Sequence, residues 1–231
     1  MNRIILMFTL LFLAIGTSEA KPKKLKISVS PADTQIFVDG NYVGDGVVEV
    51  SFDKSDFMAI RLEKEGYLTQ EARVYKADKR TAVSYTMRVD KFYEASVPSG
   101  LVNKFFSVTV SPEYYTVDKN GKKDAEKAWK LIHQILLNYF DEMQITDMSS
   151  SFIQSPWAYE RFPESKQVIR TRVTVKQSGI SDDNLVFQIK ISSEQAPLVG
   201  MSNENSYREV VRLLKKFEPL ISEFQARLSK K

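Results

Sequence analysis

Between residues 25 and 90, apolar and polar positions alternate with a period of two. Leu25, Ile27 and Val29 form one run, Ile36 and Val38 a second, and Val48 and Val50 a third; Met58, Ile60 and Leu62, then Ala72 and Val74, then Val83, Tyr85, Met87 and Val89 complete the set. Successive side chains of a strand point to opposite faces, so each run predicts a half-buried strand. Ser30-Pro31, Asp39-Gly40-Asn41, Gly44-Asp45-Gly46 and Gly66 punctuate the runs. Short strands with turn signals at this spacing predict a small all-β sandwich with antiparallel strands over residues 21–90. Asp39-Gly40 supplies the positive φ of a tight hairpin. Gly66 supplies a bend before Tyr67, a ring large enough to seal one end of a small core.

The alternation stops at residues 91–104, where Ser96, Pro98, Ser99, Gly100 and Asn103 predict a linker or irregular crossover. Residues 105–231 then follow a different plan. Phe106, Val108 and Val110 alternate as a strand, and Asp118-Lys119-Asn120-Gly121 reads as a turn. A helix follows, with Asp124 as its N-cap and a stripe of Ala125, Ala128, Trp129, Ile132, Ile135, Leu136, Tyr139 and Met143. Three strand-like stretches come next, within 147–162, at 169–175 and at 185–191, the last two joined by a hairpin loop at 179–184. A closing helix is expected from Glu204 towards Leu228, with Tyr207, Val210, Val211, Leu214, Phe217, Ile221, Phe224 and Leu228 on one side and a kink or break at Pro219. The order β-α-β-β-β-α predicts an antiparallel sheet with two long helices on one face, so the whole chain is of the α+β class.

The first twenty residues stand outside this plan. Arg3 precedes an apolar run from Ile4 to Ile15, and Ser18 and Ala20 are small residues spaced for a cleavage site. That pattern is a secretory signal peptide, cut after Ala20, and the run is too short for a membrane span. No integral membrane segment is expected after cleavage. The chain has no cysteine, so neither a disulfide nor a cysteine-linked lipid is available, and a lipoprotein is not expected. An exported chain without disulfides suits a bacterial periplasm or cell surface. The net charge of +4 comes from mixed signs with small lysine clusters at 21–24 and 230–231. That balance aids solubility and mild attraction to anionic surfaces, and with no recognition motif beside it, nucleic acid is not an expected partner.

Several residues of the first half carry a family likeness. Val29-Ser30-Pro31-Ala32-Asp33, Ile36-Phe37-Val38-Asp39-Gly40, Gly44 four residues later, and Ile60 to Gly66-Tyr67 resemble the PEGA family, a small β-rich domain of prokaryotic surface and exported proteins. Where that family usually has a proline two residues after its second glycine, this chain has Gly46. The resemblance implies an accessory envelope module and no catalytic residues. The second half resembles, in element order alone, helix-grip domains of the BamC type, and element order carries no function.

The search for chemistry yields little that is specific. His133 is the only histidine, and without cysteine a zinc site or a nucleophilic triad lacks its partners. Asp118 to Asp124 begins like a calcium loop but has Trp129 where a bidentate glutamate belongs, and Ser181-Asp182-Asp183-Asn184 reads as a hairpin tip. The glycines of the first half lack the lysine and helix of a phosphate loop. No metal or organic cofactor is expected, and no enzyme. Two features suit binding. Trp157, Tyr159 and Arg161, between Pro156 and Pro163, offer rings beside polar groups; filling the core under the helices is the commoner use of such rings. Arg170, Arg172 and Lys176 share one face of their strand with Thr174, and Lys190 lies with Gln188 on the neighbour, making an open basic surface if the helices cover the other face. The expected partner is an envelope polysaccharide or an envelope protein. A carboxylate-dependent enzyme acting on envelope carbohydrate and a self-assembling structural subunit are the alternatives.

Overall fold

The computed structural model describes residues 23–52, 55–178 and 184–229. The expected signal peptide, and all of the 179–184 loop except Asn184, lie outside the described residues. Among the described residues the chain forms two units, one of residues 23–63 and 69–86, the other of 64–68 and 87–229. No helix among them is long and apolar enough to cross a membrane.

In the first unit the alternating runs become β1 (Lys24–Ser30), β2 (Gln35–Val38), β3 (Asn41–Asp45), β4 (Val47–Ser51), β5 (Phe57–Glu63), β6 (Gln70–Tyr75) and β7 (Ala82–Thr86). They form a three-stranded sheet, β4-β1-β7, and a four-stranded sheet, β3-β2-β5-β6. Most of the expected apolar rows are buried: Leu25, Ile27 and Val29 on β1, Ile36 and Val38 on β2, Met58, Ile60 and Leu62 on β5, Val74 on β6 and Val83 on β7, with Val48, Val50, Ala72 and Tyr85 half-buried; Val89 is an exception, lying exposed beyond β7. One pairing departs from the antiparallel expectation, since β1 and β7 run parallel. A parallel neighbour needs a long crossover, and here the whole four-stranded sheet lies between the two strands in sequence.

Asp39 and Gly40 both take positive φ, 50° and 85°, and close the β2–β3 hairpin as expected. Asp39 Oδ1 accepts from the amide of Ala59, which pins that turn to β5. Gly46 takes φ +64°, its amide donates to Thr34 O at 3.0 Å and its carbonyl accepts from Val29 N at 2.7 Å. A proline here would lack both the donor and the φ, which accounts for the departure from the PEGA pattern. Gly66 and Tyr67 belong to the second unit: Tyr67 bridges to Val89, Gly66 O accepts from Asp90 N, and Gly66 packs against Tyr93.

The second unit contains α1 (Lys91–Ala95), β8 (Ser96–Pro98), β9 (Phe105–Thr109), the two-residue strands β10 (Thr116–Val117) and β11 (Lys123–Asp124), α2 (Glu126–Leu137), β12 (Ile145–Asp147), β13 (Phe152–Gln154), β14 (Ala158–Phe162), β15 (Gln167–Gln177), β16 (Val186–Pro197), β17 (Arg208–Glu209), β18 (Arg212–Leu214) and α3 (Glu218–Leu228). Two long strands, β15 and β16, form the centre of an antiparallel sheet. On the outer side of β15 lie β13 and β14, with β12 beyond β13; on the outer side of β16 lie β9 and β17. One face packs under the helices. Ile169, Val173, Val175, Phe187, Ile189 and Ile191 from the sheet meet Ala128, Trp129, Ile132, Ile135 and Leu136 of α2 and Leu220, Phe224 and Leu228 of α3 in one buried cluster.

Three expectations need correcting. Residues 91–104 are not a linker: they contain α1 and β8, and their Phe92 and Val102 are buried in the cluster just described. Asn103, at φ +63°, acts as a side-chain rung. It donates to Ser193 O and Val210 O and accepts from Ser193 N, holding β16 against the chain before β18. Second, the closing helix begins at Glu218, not Glu204, and neither main helix is long, at 12 and 11 residues. Residues 204–217 find partners that override the helical stripe: β17 joins β16 and β18 joins β8. Arg212 donates to Tyr93 O, Ser96 O and Ser96 Oγ, capping the end of α1. Third, Pro219 starts α3 rather than kinking it, at a position where its missing N–H has no helical partner to lose. For α2 the N-cap is Ala125, not Asp124, although Asp124 Oδ1 accepts from Glu126 N at 3.0 Å, and Tyr139 and Met143 of the expected stripe lie beyond the helix end.

The junction of α2 with α3 gives a pH prediction. The Tyr139 hydroxyl donates to Glu223 Oε2 at 2.9 Å, and Arg227 Nη1 pairs with Glu223 Oε1 at 2.8 Å. Burial, reinforced by Glu223, pushes Tyr139 up to about 12. For Glu223, burial opposes the charge, but Arg227, Tyr139 and Asn138 hold the carboxyl below the usual glutamate range. An unfolded tyrosine ionises near pH ~10. The Tyr139 contribution is therefore complete below that pH and is lost as pH rises through the folded value. Thermal unfolding across the alkaline range, with tyrosinate absorbance followed in parallel, is expected to show a stability loss that Tyr139→Phe makes shallower, with one fewer late-ionising tyrosine in that variant. An identical alkaline profile in that variant would refute the assignment.

Candidate binding surface

The face of the β15–β16 sheet turned away from the helices carries the residues of the expected binding surface, Trp157, Tyr159, Arg161, Arg170, Arg172, Lys176 and Lys190. Strand register decides this. Ile169, Val173 and Val175 point to the helices, so Arg170, Arg172, Thr174 and Lys176 point the other way. Cross-strand pairing adds Lys190 beside Thr174, Gln188 beside Lys176, Tyr159 beside Arg170 and Arg161 beside Val168. Trp157 joins them by stacking on arginines. The core-filling reading of Trp157 and Tyr159 is thus overturned: Tyr159 is 45% exposed, and it is Ala158 and Phe162 of β14 that enter the helix-side core.

Arg170 is the structural centre of this face. Its side chain is 5% exposed, and its guanidinium lies 4.2 Å from the Trp157 ring and 3.6 Å from the Tyr207 ring. Nε and Nη2 donate to Glu194 Oε2 at 2.9 and 2.7 Å, and Nη1 lies 2.7 Å from Glu204 Oε2. Burial works against the charge, yet Glu194, Glu204 and the Tyr159 hydroxyl raise the pKa above the ordinary arginine value. Arg170 is therefore a buried, neutralised strut and not a free cation. Lys190 is partly neutralised too, at 3.5 Å from Glu209.

Arg161, Arg172 and Lys176 differ. No ion pair joins any of them to a carboxylate among the described residues. Arg172 stacks on Trp157 at 4.3 Å, with its buried Nε lacking a hydrogen-bond partner, and Lys176 lies 4.4 Å from the Phe105 ring. The surface is a ladder of rings and cations: Phe105, Lys176, Arg172, Trp157, Arg170, Tyr207 and Tyr159, the last two edge to face at 6.5 Å. A cation over a ring keeps its hydrogen-bonding edge available while its flat face is covered, so such a ladder can offer donors to an anionic group and ring surface to an apolar one.

Sequence reasoning missed Glu194, Glu204, Tyr207 and Phe105. Glu194 was within reach, because it continues the alternation of Gln188 and Lys190 along a strand that runs to Pro197. Tyr207 was hidden by its fit to a helical stripe. Elsewhere, no cluster of potential metal ligands occurs among the described residues, and Asp118 Oδ1 accepts from Asn120 N and Lys122 N in an ordinary turn.

Residues 23–91 match the PEGA domain family. The likeness carried by the glycine and Gly-Tyr signals is therefore a PEGA domain, a type that is generally extracellular or periplasmic. The ladder face lies outside the matched residues. No curated protein and no solved structure matches the chain.

Proposed function

We propose that this PEGA-containing chain is an exported, non-catalytic cell-envelope protein whose second unit holds an acidic envelope polysaccharide on its open sheet face. The observation that carries the reading is the set of unpaired cations, Arg161, Arg172 and Lys176, beside half-exposed rings. Carboxylates or phosphates on the polymer supply the missing counter-charges, and sugar C–H faces cover ring surface. The usual compartment of PEGA domains and the signal-like first twenty residues support export. A glycosidase would need a carboxyl held protonated. The carboxyls that shift clearly among the described residues, Glu49, Asp78, Glu94, Asp147 and Glu223, all shift downwards, which favours binding over hydrolysis.

Co-sedimentation of the purified protein with protein-stripped acidic envelope polysaccharide, at rising salt, tests this. Retention is expected to weaken with salt, and Trp157→Ala or the pair Arg161→Gln and Lys176→Gln is expected to weaken it roughly tenfold. Salt-independent retention untouched by these variants would overturn the assignment. Retention on whole envelope with none on the stripped polymer would move the ligand to a protein.

A further inference from the structure

The first unit carries a second ring-and-arginine face, unrelated to the ladder. On the four-stranded sheet Met58, Ile60 and Leu62 point inwards, so Phe57, Ala59, Arg61 and Glu63 of β5 point outwards. Register sets Tyr75 beside Phe57, Arg73 beside Ala59, and Glu71 and Phe37 on either side of Arg61, with Tyr42 beyond Phe37. The rings form two pairs. Phe57 and Tyr75 lie 6.0 Å apart at 53°, and Phe37 and Tyr42 lie 5.7 Å apart at 64°. Arg73 rests 5.2 Å from Phe57 and Arg61 4.2 Å from Phe37. Tyr42 and Tyr75 are more than half exposed, at 54% and 55%.

Between the pairs the small side chain of Ala59 leaves a notch of about 410 Å³, walled by Arg61, Glu71, Arg73 and Gly40 of the β2–β3 turn. Strand rise places the two ring platforms about 14 Å apart along the sheet. The charges of the notch cancel: Arg61 pairs with Glu63, and Arg73 has Glu71 two residues away on the same face. A notch with balanced charge and donors and acceptors on its walls, on a sheet face that carries a ring platform two strand positions away on either side, is matched by an uncharged ligand with apolar faces and many hydroxyls. We propose that this face binds a neutral oligosaccharide segment, whose sugar faces stack on the Tyr75–Phe57 and Tyr42–Phe37 platforms while hydroxyls bond to Arg73 and Glu71. The chain then has two glycan sites of different chemistry, neutral in the first unit and acidic in the second.

Retention on columns of immobilised neutral polysaccharides, a series of linear glucans, mannans and galactans, at high salt tests this with the whole chain. At least one column is expected to retain the protein, and Tyr75→Ala, Arg73→Gln and Ala59→Trp, which fills the notch, should each weaken retention roughly fivefold or more. Trp157→Ala should leave it unchanged. Ala59→Trp alters an outward position, and an unchanged circular dichroism spectrum confirms its fold. Retention by none of the columns, or retention that Trp157→Ala abolishes and Tyr75→Ala does not, overturns the proposal. Binding of acidic polymer through the second unit would survive either result.

Discussion

Arg170→Met is expected to destabilise the second unit by about 3–5 kcal/mol, the range for breaking a buried ion pair from one side. The substitution keeps the length of the side chain and removes its charge. Glu194, itself only 22% exposed, would then stand without the two hydrogen bonds it accepts, and Trp157 and Tyr207 would lose the cation between them. Glu204 matters less because it is 73% exposed and water can replace its partner. Both tryptophans of the chain, Trp129 and Trp157, lie in the second unit, so fluorescence in urea reports that unit alone. A companion variant separates pairing from packing: adding Glu194→Leu to Arg170→Met should recover part of the loss, because no unpaired carboxylate then remains. A midpoint unchanged by Arg170→Met would show that the ladder contributes nothing to the fold, and a loss that Glu194→Leu deepens would place the contribution in shape instead of charge.

Gly46→Ala is expected to cost the first unit at least about 3 kcal/mol. The left-handed backbone alone penalises an L side chain by about 1–2 kcal/mol. A Cβ at Gly46 would also lie 2.2 Å from the carbonyl oxygen of Ala32, which is backbone and cannot swing aside. Gly40→Ala is the internal control. It shares the positive φ, but a Cβ there meets nothing within 4 Å, so only the backbone penalty of about 1–2 kcal/mol applies. Gly46→Pro, which restores the usual residue of the family, should be worse than alanine because it also removes the donor to Thr34 O. Far-ultraviolet circular dichroism is the appropriate probe, since the first unit has no tryptophan. Equal losses at Gly40 and Gly46 would mean that the Ala32 contact relaxes without cost.

The first unit was legible strand by strand because its signals are local: alternation sets the buried row, and Asp39-Gly40 sets the hairpin. The parallel pairing of β1 with β7 was not, since no local residue encodes a partner more than fifty positions away. In the second unit the same alternation placed Arg170, Arg172 and Lys176 on one face. It could not place Trp157 and Tyr159, because shifting a strand by one residue exchanges its two faces and β14 has no strong apolar row to fix the choice. The stripe from Tyr207 to Leu214 failed for a different reason. Its apolar residues fit a helix, but the chain there is held extended by residues far upstream, Ser96 to Pro98 and Asn103, that look like loop from their composition. Charge was misread in sum: four cations suggested a basic face, and Glu194, Glu204 and Glu209, brought in by tertiary structure, neutralise Arg170 and partly offset Lys190.

The same long-range ties have a consequence for how the chain is made. The earliest segments of the second unit are completed by its latest: β8 waits for β18, Asn103 for Val210, Ser111 N for Leu228 O and Thr109 O for the Ser229 hydroxyl. A ribosome that has not yet reached residue 212 has therefore produced a sheet whose first rungs lack partners, and high contact order delays closure further. The second unit consequently folds late, as a whole, after synthesis of this segment. If the chain is exported as proposed, that delay keeps its larger unit from locking before the chain has crossed the membrane.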